Sequence, residues 1–259
     1  MNSKKFLAFA MAAAMTLSMT ACGGSGSGAA SSGTDSAAGT AFKLGGTGPL
    51  TGGASIYGLA AQRGAQIAVD EINAQGGAIQ FDLKYEDDQH DPEKAVNAYN
   101  ALKEWGMQIS LGSVTSQPGI STSALSQEDG IFALTPSASS PDVIAGKDNV
   151  YQMCFSDPNQ GLASAQYIAE QQLGEKIFII WKSDDNYSTG IKDKFMAEAD
   201  KLGLNVVGNA TFTTDSQNDF NVQLTQAKQA EADLLAQDMP NWLPILYGLT
   251  AMYGDDPDD

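Results

Sequence analysis

A strand, a helix and a second strand follow one another in residues 42–85, which read FKLGGTGPLTGGASIYGLAAQRGAQIAVDEINAQGGAIQFDLKY. Residues 42–48 form a short run that ends at Gly-Pro, as a buried strand does. Residues 56–75 place small and apolar side chains at helical spacing, and Gly76-Gly77 marks the end of that helix. Apolar and polar residues then alternate from Ile79 to Tyr85, which is the pattern of a strand. The stretch therefore predicts a β-α-β unit.

The same alternation continues through the rest of the chain. Asp91-Pro92 supplies an N-cap residue and a proline at the first position of a helix that ends at Gly106. Further strands are predicted at residues 107–111, 131–134, 151–155, 176–181, 204–212 and 232–235, and further helices at 117–128, 159–173, 189–202 and 218–230. Strands that alternate with helices imply parallel sheets with both faces covered. The predicted class is α/β with two doubly wound parallel-sheet lobes, residues 41–155 and 156–235, of which the second is incomplete.

The first 40 residues differ from the rest in composition. Residues 1–21 hold Lys4 and Lys5, an apolar run too short to span a bilayer, and then small residues, which is the pattern of an export signal. Cys22 follows directly, as in bacterial lipoproteins, so we expect it to carry a lipid. The alternative is an ordinary signal peptide with an incidental cysteine. Residues 22–40 are almost all Gly, Ser, Ala and Thr, which predicts a flexible tether.

Charge and composition argue against several classes of function. The chain carries 31 acidic and 14 basic residues and a formal charge of −17, whereas binding to nucleic acid needs basic patches. Lipidation of Cys22 leaves Cys154 without a partner for a disulfide. The single histidine, His90, has no second His or Cys nearby, so we predict a solvated loop residue and no metal site. Because dinucleotide, Walker and nucleophile-elbow motifs are missing from the sequence, we expect neither an enzyme nor a cofactor.

Three loops that follow predicted strands are small and rich in hydroxyl groups. They are residues 48–58, 112–117 and 135–140. Ligands of open parallel sheets bind beyond the carboxyl ends of the strands, at the point where the strand order reverses. The last two loops also lead to helix starts, whose free amides favour anions. Ser, Thr and Gly are ordinary loop residues when they occur in one loop alone, but three such loops together predict a carboxylate site.

Five motifs resemble the leucine/isoleucine/valine-binding protein family, in order and at similar spacing. They read GPLTG at 48–52, DEINAQGG at 70–77, DPEKA at 91–95, TPSAS at 135–139 and DNYSTG at 185–190. The ordered set carries the resemblance, which covers residue 42 to about residue 235. The family implies a type I periplasmic-binding fold. Its two lobes close on a ligand without catalysis and hand that ligand to the membrane permease of an ABC importer.

The resemblance implies a polar binding site in lobe 1. Ser116, or Thr115 beside it, and Ser139 would hold the carboxylate of the ligand. The main chain at Ser137 would accept from the ligand's ammonium group. We therefore expect these four residues to lie around one small amino acid.

The resemblance also implies two tyrosines in the cleft, and it extends only as far as Leu235. Tyr57 and Tyr187 would line the cleft, the alternative for each being a half-buried surface aromatic. After Leu235 the resemblance fails, and residues 236–259 form a divergent tail that fits no expected element. The acidic partner that the family uses for the ammonium would lie beyond that point. We therefore expect a truncated or frame-shifted chain, the alternative being a naturally short variant.

These expectations combine into one predicted function. The chain is expected to be a monomeric solute-binding lipoprotein, held outside the cytoplasmic membrane by its lipid alone. It would capture a leucine-, isoleucine- or valine-like amino acid and deliver it to an ABC permease. Two alternatives remain open at this point: a ligand-sensing receptor domain of the same fold, and a non-functional fragment.

Overall fold

The computed structural model describes residues 40–237, which form two parallel β-sheets with helices packed against them. Lobe 1 contains strands β1 (Thr40–Gly48), β2 (Ile79–Asp87), β3 (Ile109–Ser113), β4 (Phe132–Thr135) and β5 (Val150–Gln152), and helices α1 (Ser55–Ala74), α2 (Pro92–Trp105) and α3 (Ser116–Asp129). Lobe 2 contains strands β6 (Ile177–Lys182), β7 (Val206–Phe212) and β8 (Leu234–Gln237), and helices α4 (Asp157–Gln171), α5 (Asn186–Leu202) and α6 (Asn221–Gln229). Short 3₁₀ turns lie at Pro141–Val143 and Thr214–Ser216. The predicted α/β class with two parallel-sheet lobes is confirmed.

Strand order places the hydroxyl-rich loops side by side. The five strands of lobe 1 are ordered β2-β1-β3-β4-β5, and the three of lobe 2 are ordered β7-β6-β8. All pairs are parallel. The chain moves outward from β1 to β2 and then returns to the other side of β1 for β3, so the order reverses between β1 and β3. The loops after β1, β3 and β4 therefore meet at one edge of the sheet.

Local sequence signals account for the helix bounds. The Asp91 carboxylate caps α2 by accepting from the amides of Glu93 and Lys94, both at 2.9 Å, and such a cap stabilises a helix by about 1 kcal/mol. Gly106 ends α2 with φ 93°, a left-handed conformation that glycine adopts at little cost. Tyr99 and Leu102, on the inner face of α2, are almost completely buried. The helix is thus fixed at both ends and along one side.

Three of the bounds that differ from the predicted ones have identifiable reasons. Strand β1 begins at Thr40, the last residue of the predicted tether, because the ladder with β2 extends to a Thr40–Ile79 pair. Strand β8 runs two residues past the predicted end of lobe 2, where Gln237 pairs with Ile180. Helix α5 begins three residues early because Asp185 caps it, its carboxylate accepting from the backbone amide of Tyr187 at 3.1 Å.

The core of lobe 2 lies on both faces of β6. Phe178 and Ile180 pack on one face with a cluster that includes Phe212. Ile177 and Ile179 point to the other face, into a cluster that includes Phe195. Alternate residues of a strand face opposite sides, so the central strand of a covered parallel sheet is apolar throughout. In the described part of the chain β8 pairs only with β6, so it forms one edge of this sheet.

Several predicted segments lie outside the described residues. They are the signal peptide, nearly all of the tether with Cys22, and the divergent tail from residue 238 onward. Within residues 40–237, none of the helices combines the length and the apolar character that a membrane span requires.

Helices α4 and α5 pack closely at Gly161, and this contact yields a stability prediction. A Cβ atom at Gly161 would lie 2.2 Å from the Ile191 carbonyl oxygen and 2.9 Å from the Phe195 backbone nitrogen. We therefore expect Gly161→Ala to lower the free energy of unfolding by about 1–3 kcal/mol through overpacking.

Gly64→Ala is the matched control for Gly161→Ala. Gly64 also lies inside a helix, α1, but a Cβ there meets nothing within 4 Å. Replacement by alanine restricts the unfolded chain and is expected to stabilise by about 0.4–1 kcal/mol. Urea unfolding followed by circular dichroism measures both variants, and equal effects of the two substitutions would contradict the close approach of α4 and α5.

Candidate ligand-binding site

The hydroxyl groups after β3 and β4 bind the two loops to each other. The Ser137 hydroxyl donates to the Val114 carbonyl at 2.7 Å. The Ser116 hydroxyl accepts from the Ser140 amide at 3.1 Å. Among the described contacts Ser116 is thus used only as an acceptor, and its own hydroxyl proton is left for a further acceptor. A ligand carboxylate is such an acceptor.

A second set of hydroxyls lies beneath these loops. The Ser113 hydroxyl is shared with the hydroxyls of Thr47 on β1 and Thr122 on α3, at 2.5 and 2.9 Å. The Thr135 hydroxyl on β4 donates to the Ser113 carbonyl at 2.6 Å and accepts from the Ala138 amide at 3.0 Å. Each of these hydroxyls is already hydrogen-bonded within lobe 1, so together they stabilise the hydroxyl-bearing loops of residues 112–117 and 135–140, called the platform below.

The predicted carboxylate serines are only slightly exposed. Ser116 and Ser139 expose 3% and 4% of their surface, and Ser137 is exposed. The Ser139 carbonyl accepts from the Asp157 amide, the first residue of α4, at 3.1 Å. The β4 loop is therefore joined to the first helix of lobe 2.

The two predicted tyrosines lie apart. Tyr57, near the start of α1, is 43% exposed. Tyr187, near the start of α5, is half-buried, and its hydroxyl donates to the Gln160 side chain at 3.3 Å within lobe 2. The described arrangement therefore places one tyrosine on each lobe, and their role in lining a cleft stays a prediction.

His90 lies in the turn after β2, as the loop prediction requires. The imidazole is not fully solvated but lies between the lobes, with 29% of its side chain exposed. Its Nδ1 lies 2.9 Å from the Thr115 hydroxyl of lobe 1, and its Nε2 lies 3.9 Å from the Asp185 carboxylate of lobe 2. A tight turn directs it there: His90 has φ 61°, and its amide donates to the Asp88 side chain at 2.9 Å.

A second contact joins the lobes beside His90. The Gln117 side-chain amide on α3 donates to the Asp184 carbonyl, before α5, at 2.6 Å. Sequence reasoning missed the contacts that Gln117 and His90 make with lobe 2. The capping position of Asp185 ahead of α5 was readable from the sequence, but its proximity to His90 was not, since the two residues are far apart in the chain.

A cleft with a volume of about 770 Å³ lies between the lobes. Lobe 1 contributes Gln117 and the turn at Ser140–Asp142, and lobe 2 contributes Pro158 and residues 183–186, 189, 190, 193, 194 and 197. None of the six predicted ligand-binding residues lines it, although Gln117 and Ser140 are the chain neighbours of Ser116 and Ser139. The described cleft thus lies next to the predicted platform.

Burial perturbs two titratable groups in the turn after β2. Burial raises the pKa of Asp88 to about 6, and the His90 amide and the nearby Thr47 hydroxyl only partly offset this. Burial also lowers the pKa of His90 from its ordinary value of 6.5, against the opposing attraction of Asp185. In the described part of the chain, no group of three His, Cys, Asp or Glu side chains is arranged to hold a metal ion.

The fold and the platform define a two-lobed α/β protein with a binding cleft between its lobes. A family model described as periplasmic binding protein matches residues 41–252. The chain therefore belongs to the periplasmic binding protein family.

Two relatives and one solved structure show how far the likeness extends. The chain is 31% identical over 210 residues to Leu/Ile/Val-binding protein homolog 3 of Brucella melitensis, across 80% of this chain and 56% of that one. It is 32% identical over 190 residues to Leu/Ile/Val-binding protein BraC3 of Rhizobium johnstonii, across 72% and 51%. The chain spans about half the length of these relatives. The Streptococcus pneumoniae substrate binding protein LivJ of a branched-chain amino acid transporter, in complex with isoleucine, matches with a TM-score of 0.76 at 26% identity, across 84% of this chain and 63% of that one.

Proposed function

We propose that this chain is the solute-binding component of an ABC importer and captures a small amino acid of the branched-chain type. It binds its ligand without chemical conversion and passes it to a membrane permease. The observation that carries the proposal is the platform of hydroxyl-bearing loops at the switch point of lobe 1, next to the second lobe. Relatives described as Leu/Ile/Val-binding proteins support the choice of ligand.

The platform supports a specific orientation of the amino acid. Ser116 begins α3, where unpaired backbone amides and the helix dipole favour a carboxylate. Ser116 and Ser139 would donate to that carboxylate, and the main chain at Ser137 would accept from the ammonium group. Tyr57 and Tyr187, one on each lobe, would cover the apolar side chain when the lobes close.

Thr115 is a weaker candidate for the carboxylate than Ser116. Its hydroxyl is shared with His90 Nδ1 at 2.9 Å, whereas the hydroxyl of Ser116 keeps its proton for another acceptor. A hydroxyl has a single proton to donate. We therefore assign the main donor role to Ser116.

We further propose that the protein acts outside the cytoplasm, attached to the membrane by a lipid on Cys22. The support is the basic and apolar start of the chain, the small residues before Cys22 and the tether after it. Several acyl chains on one cysteine give stable attachment where one chain alone is marginal.

The ligand assignment is tested by titrating the chain with isoleucine in a calorimeter. Ser116→Ala removes a hydrogen bond to a charged group, which is worth about 1.5–3 kcal/mol, so the dissociation constant is expected to rise about tenfold or more. Ser123→Ala is the control, because that hydroxyl lies on the same helix but donates to the Ile120 carbonyl. Absence of isoleucine binding by the unaltered chain, or equal affinities of the two variants, would refute the assignment.

The lipid assignment is tested by Cys22→Ser in cells that process lipoproteins. The substituted protein is expected to appear in the soluble exported fraction, because no other part of the proposal attaches it to lipid. Immunoblots of membrane and soluble fractions measure this. Membrane association that is unchanged by the substitution would show that Cys22 is not the point of attachment.

A further inference from the structure

The start of α3 is hydrogen-bonded to the loop before α5 across the cleft. The Gln117 side-chain amide donates to the Asp184 carbonyl at 2.6 Å, and both residues line the cleft. A backbone carbonyl can only accept, so the side-chain nitrogen of Gln117 is the atom that faces it. This contact joins the two lobes at the cleft itself, and the amino-acid site described above gives it no role.

Lobe 2 fixes the direction of the Asp184 carbonyl. One oxygen of the Asp184 carboxylate lies 3.0 Å from the Lys182 ammonium nitrogen, and the other accepts from the Thr214 amide at 3.0 Å. The next residue, Asp185, caps α5 by accepting from the amide of Tyr187. Because the side chains of both aspartates are bound within lobe 2, the carbonyl between the two residues is presented to lobe 1 in one orientation.

Lobe 1 fixes the backbone from which the Gln117 side chain extends. The preceding residue, Ser116, is buried, and its hydroxyl accepts from the Ser140 amide at 3.1 Å. The following residue, Pro118, is also buried, and its carbonyl accepts from the Thr122 hydroxyl at 3.1 Å. Gln117 is partly exposed between them. Its side chain therefore reaches lobe 2 from a turn whose position is already set by lobe 1.

We propose that Gln117 is a positioning residue of the amino-acid site: its bond to the Asp184 carbonyl holds the start of α3 against the start of α5. Ser116 and Tyr187, one at each of these helix starts, are thereby kept in register for one ligand. The proposal rests on the proposed function in that these two residues bind the amino acid. It adds that the closed arrangement has a hydrogen bond of its own, made by a side chain outside the set that binds the ligand.

Two other described contacts between the lobes do not replace this bond. The neutral imidazole of His90 forms no hydrogen bond with Asp185, because 3.9 Å separates Nε2 from the carboxylate. The bond between the Ser139 carbonyl and the Asp157 amide lies where the chain itself passes from lobe 1 to lobe 2. Loss of the Gln117 bond is therefore expected to favour separation of the lobes.

The size of the effect follows from the bond that is lost. Removal of one such hydrogen bond shifts the balance between closed and separated lobes by about two- to tenfold. Only the closed arrangement offers a ligand contacts from both lobes, so the fraction of closed protein sets the apparent affinity. The same substitution is thus expected to change the lobe separation without ligand and the rate at which ligand leaves.

The first measurement is resonance energy transfer between dyes on the two lobes, in the absence of ligand. The full chain carries Glu104→Cys on α2 and Asp200→Cys on α5, both exposed positions, with Cys22→Ser and Cys154→Ser so that only these positions are labelled. Gln117→Met keeps the length of the side chain but removes its donor, so transfer is expected to fall. Gln117→Lys keeps a donor and is expected to restore most of the transfer.

Gln127→Met is the matched control on the same helix. The Gln127 side chain accepts from the Asp148 amide at 3.2 Å, and both residues belong to lobe 1. This substitution also removes a glutamine hydrogen bond from α3 but leaves the contact with lobe 2, so transfer is expected to stay unchanged. Isoleucine dissociation, followed with the same dyes after rapid dilution, is expected to be about two- to tenfold faster in Gln117→Met than in Gln127→Met.

Two results would overturn the proposal. One is transfer in Gln117→Met that equals transfer in the unaltered chain. The other is a loss in Gln117→Lys as large as the loss in Gln117→Met, because the donor would then have no effect. Both results are read without ligand. If isoleucine binds to none of the variants while transfer changes as expected, the ligand assignment fails and the role of Gln117 in holding the lobes together stands.

Discussion

Several backbone amides and carbonyls of the loops after β3 and β4 lie away from water and must be hydrogen-bonded, and the rest of the site depends on this requirement. Side chains supply these hydrogen bonds. The Ser116 hydroxyl accepts from the Ser140 amide, and the Ser137 hydroxyl donates to the Val114 carbonyl. The Gln152 side chain, at the end of β5, donates to the Ser140 carbonyl at 2.8 Å. Leaving one such buried group unpaired costs about 1–3 kcal/mol. Small polar residues are therefore needed here for folding, before any ligand is considered.

The same loops also connect the platform to lobe 2. The Ser139 carbonyl receives the first amide of α4, and the Gln117 side chain binds the backbone just before α5. A carboxylate bound to Ser116 would thus contact loops that are hydrogen-bonded to the second lobe. A ligand favours closure only by its differential affinity for the closed state. Because these loops contact lobe 2, a ligand bound to them can gain such differential affinity.

The sequence allowed most of the fold to be predicted, but only part of the site. Alternating strand and helix patterns, the Asp91 cap and the glycine at 106 are local signals, and the corresponding elements occur within a few residues of their predicted bounds. The contacts of Gln117 and His90 with lobe 2 join residues that are 67 or more positions apart, and no local pattern encodes such proximity. Hydroxyl-rich loops predicted a polar surface, but composition does not tell whether a hydroxyl faces a ligand or a neighbouring backbone. The hydroxyls of Ser137 and Ser116 each form a hydrogen bond to the backbone of the neighbouring loop. Ser137 donates its proton in that bond, whereas Ser116 accepts and can still donate to another group.

The central claim is that the strand-end loops of lobe 1 form the surface that receives the amino acid. Hydrogen–deuterium exchange with and without saturating isoleucine tests it most directly, because bound ligand and lobe closure slow amide exchange where they act. The account predicts slower exchange in peptides covering residues 113–117 and 135–140, a smaller effect at residues 183–190, and no change in strand β7. Unchanged exchange in both lobe 1 loops at saturating isoleucine, or protection confined to other parts of the chain, would contradict it.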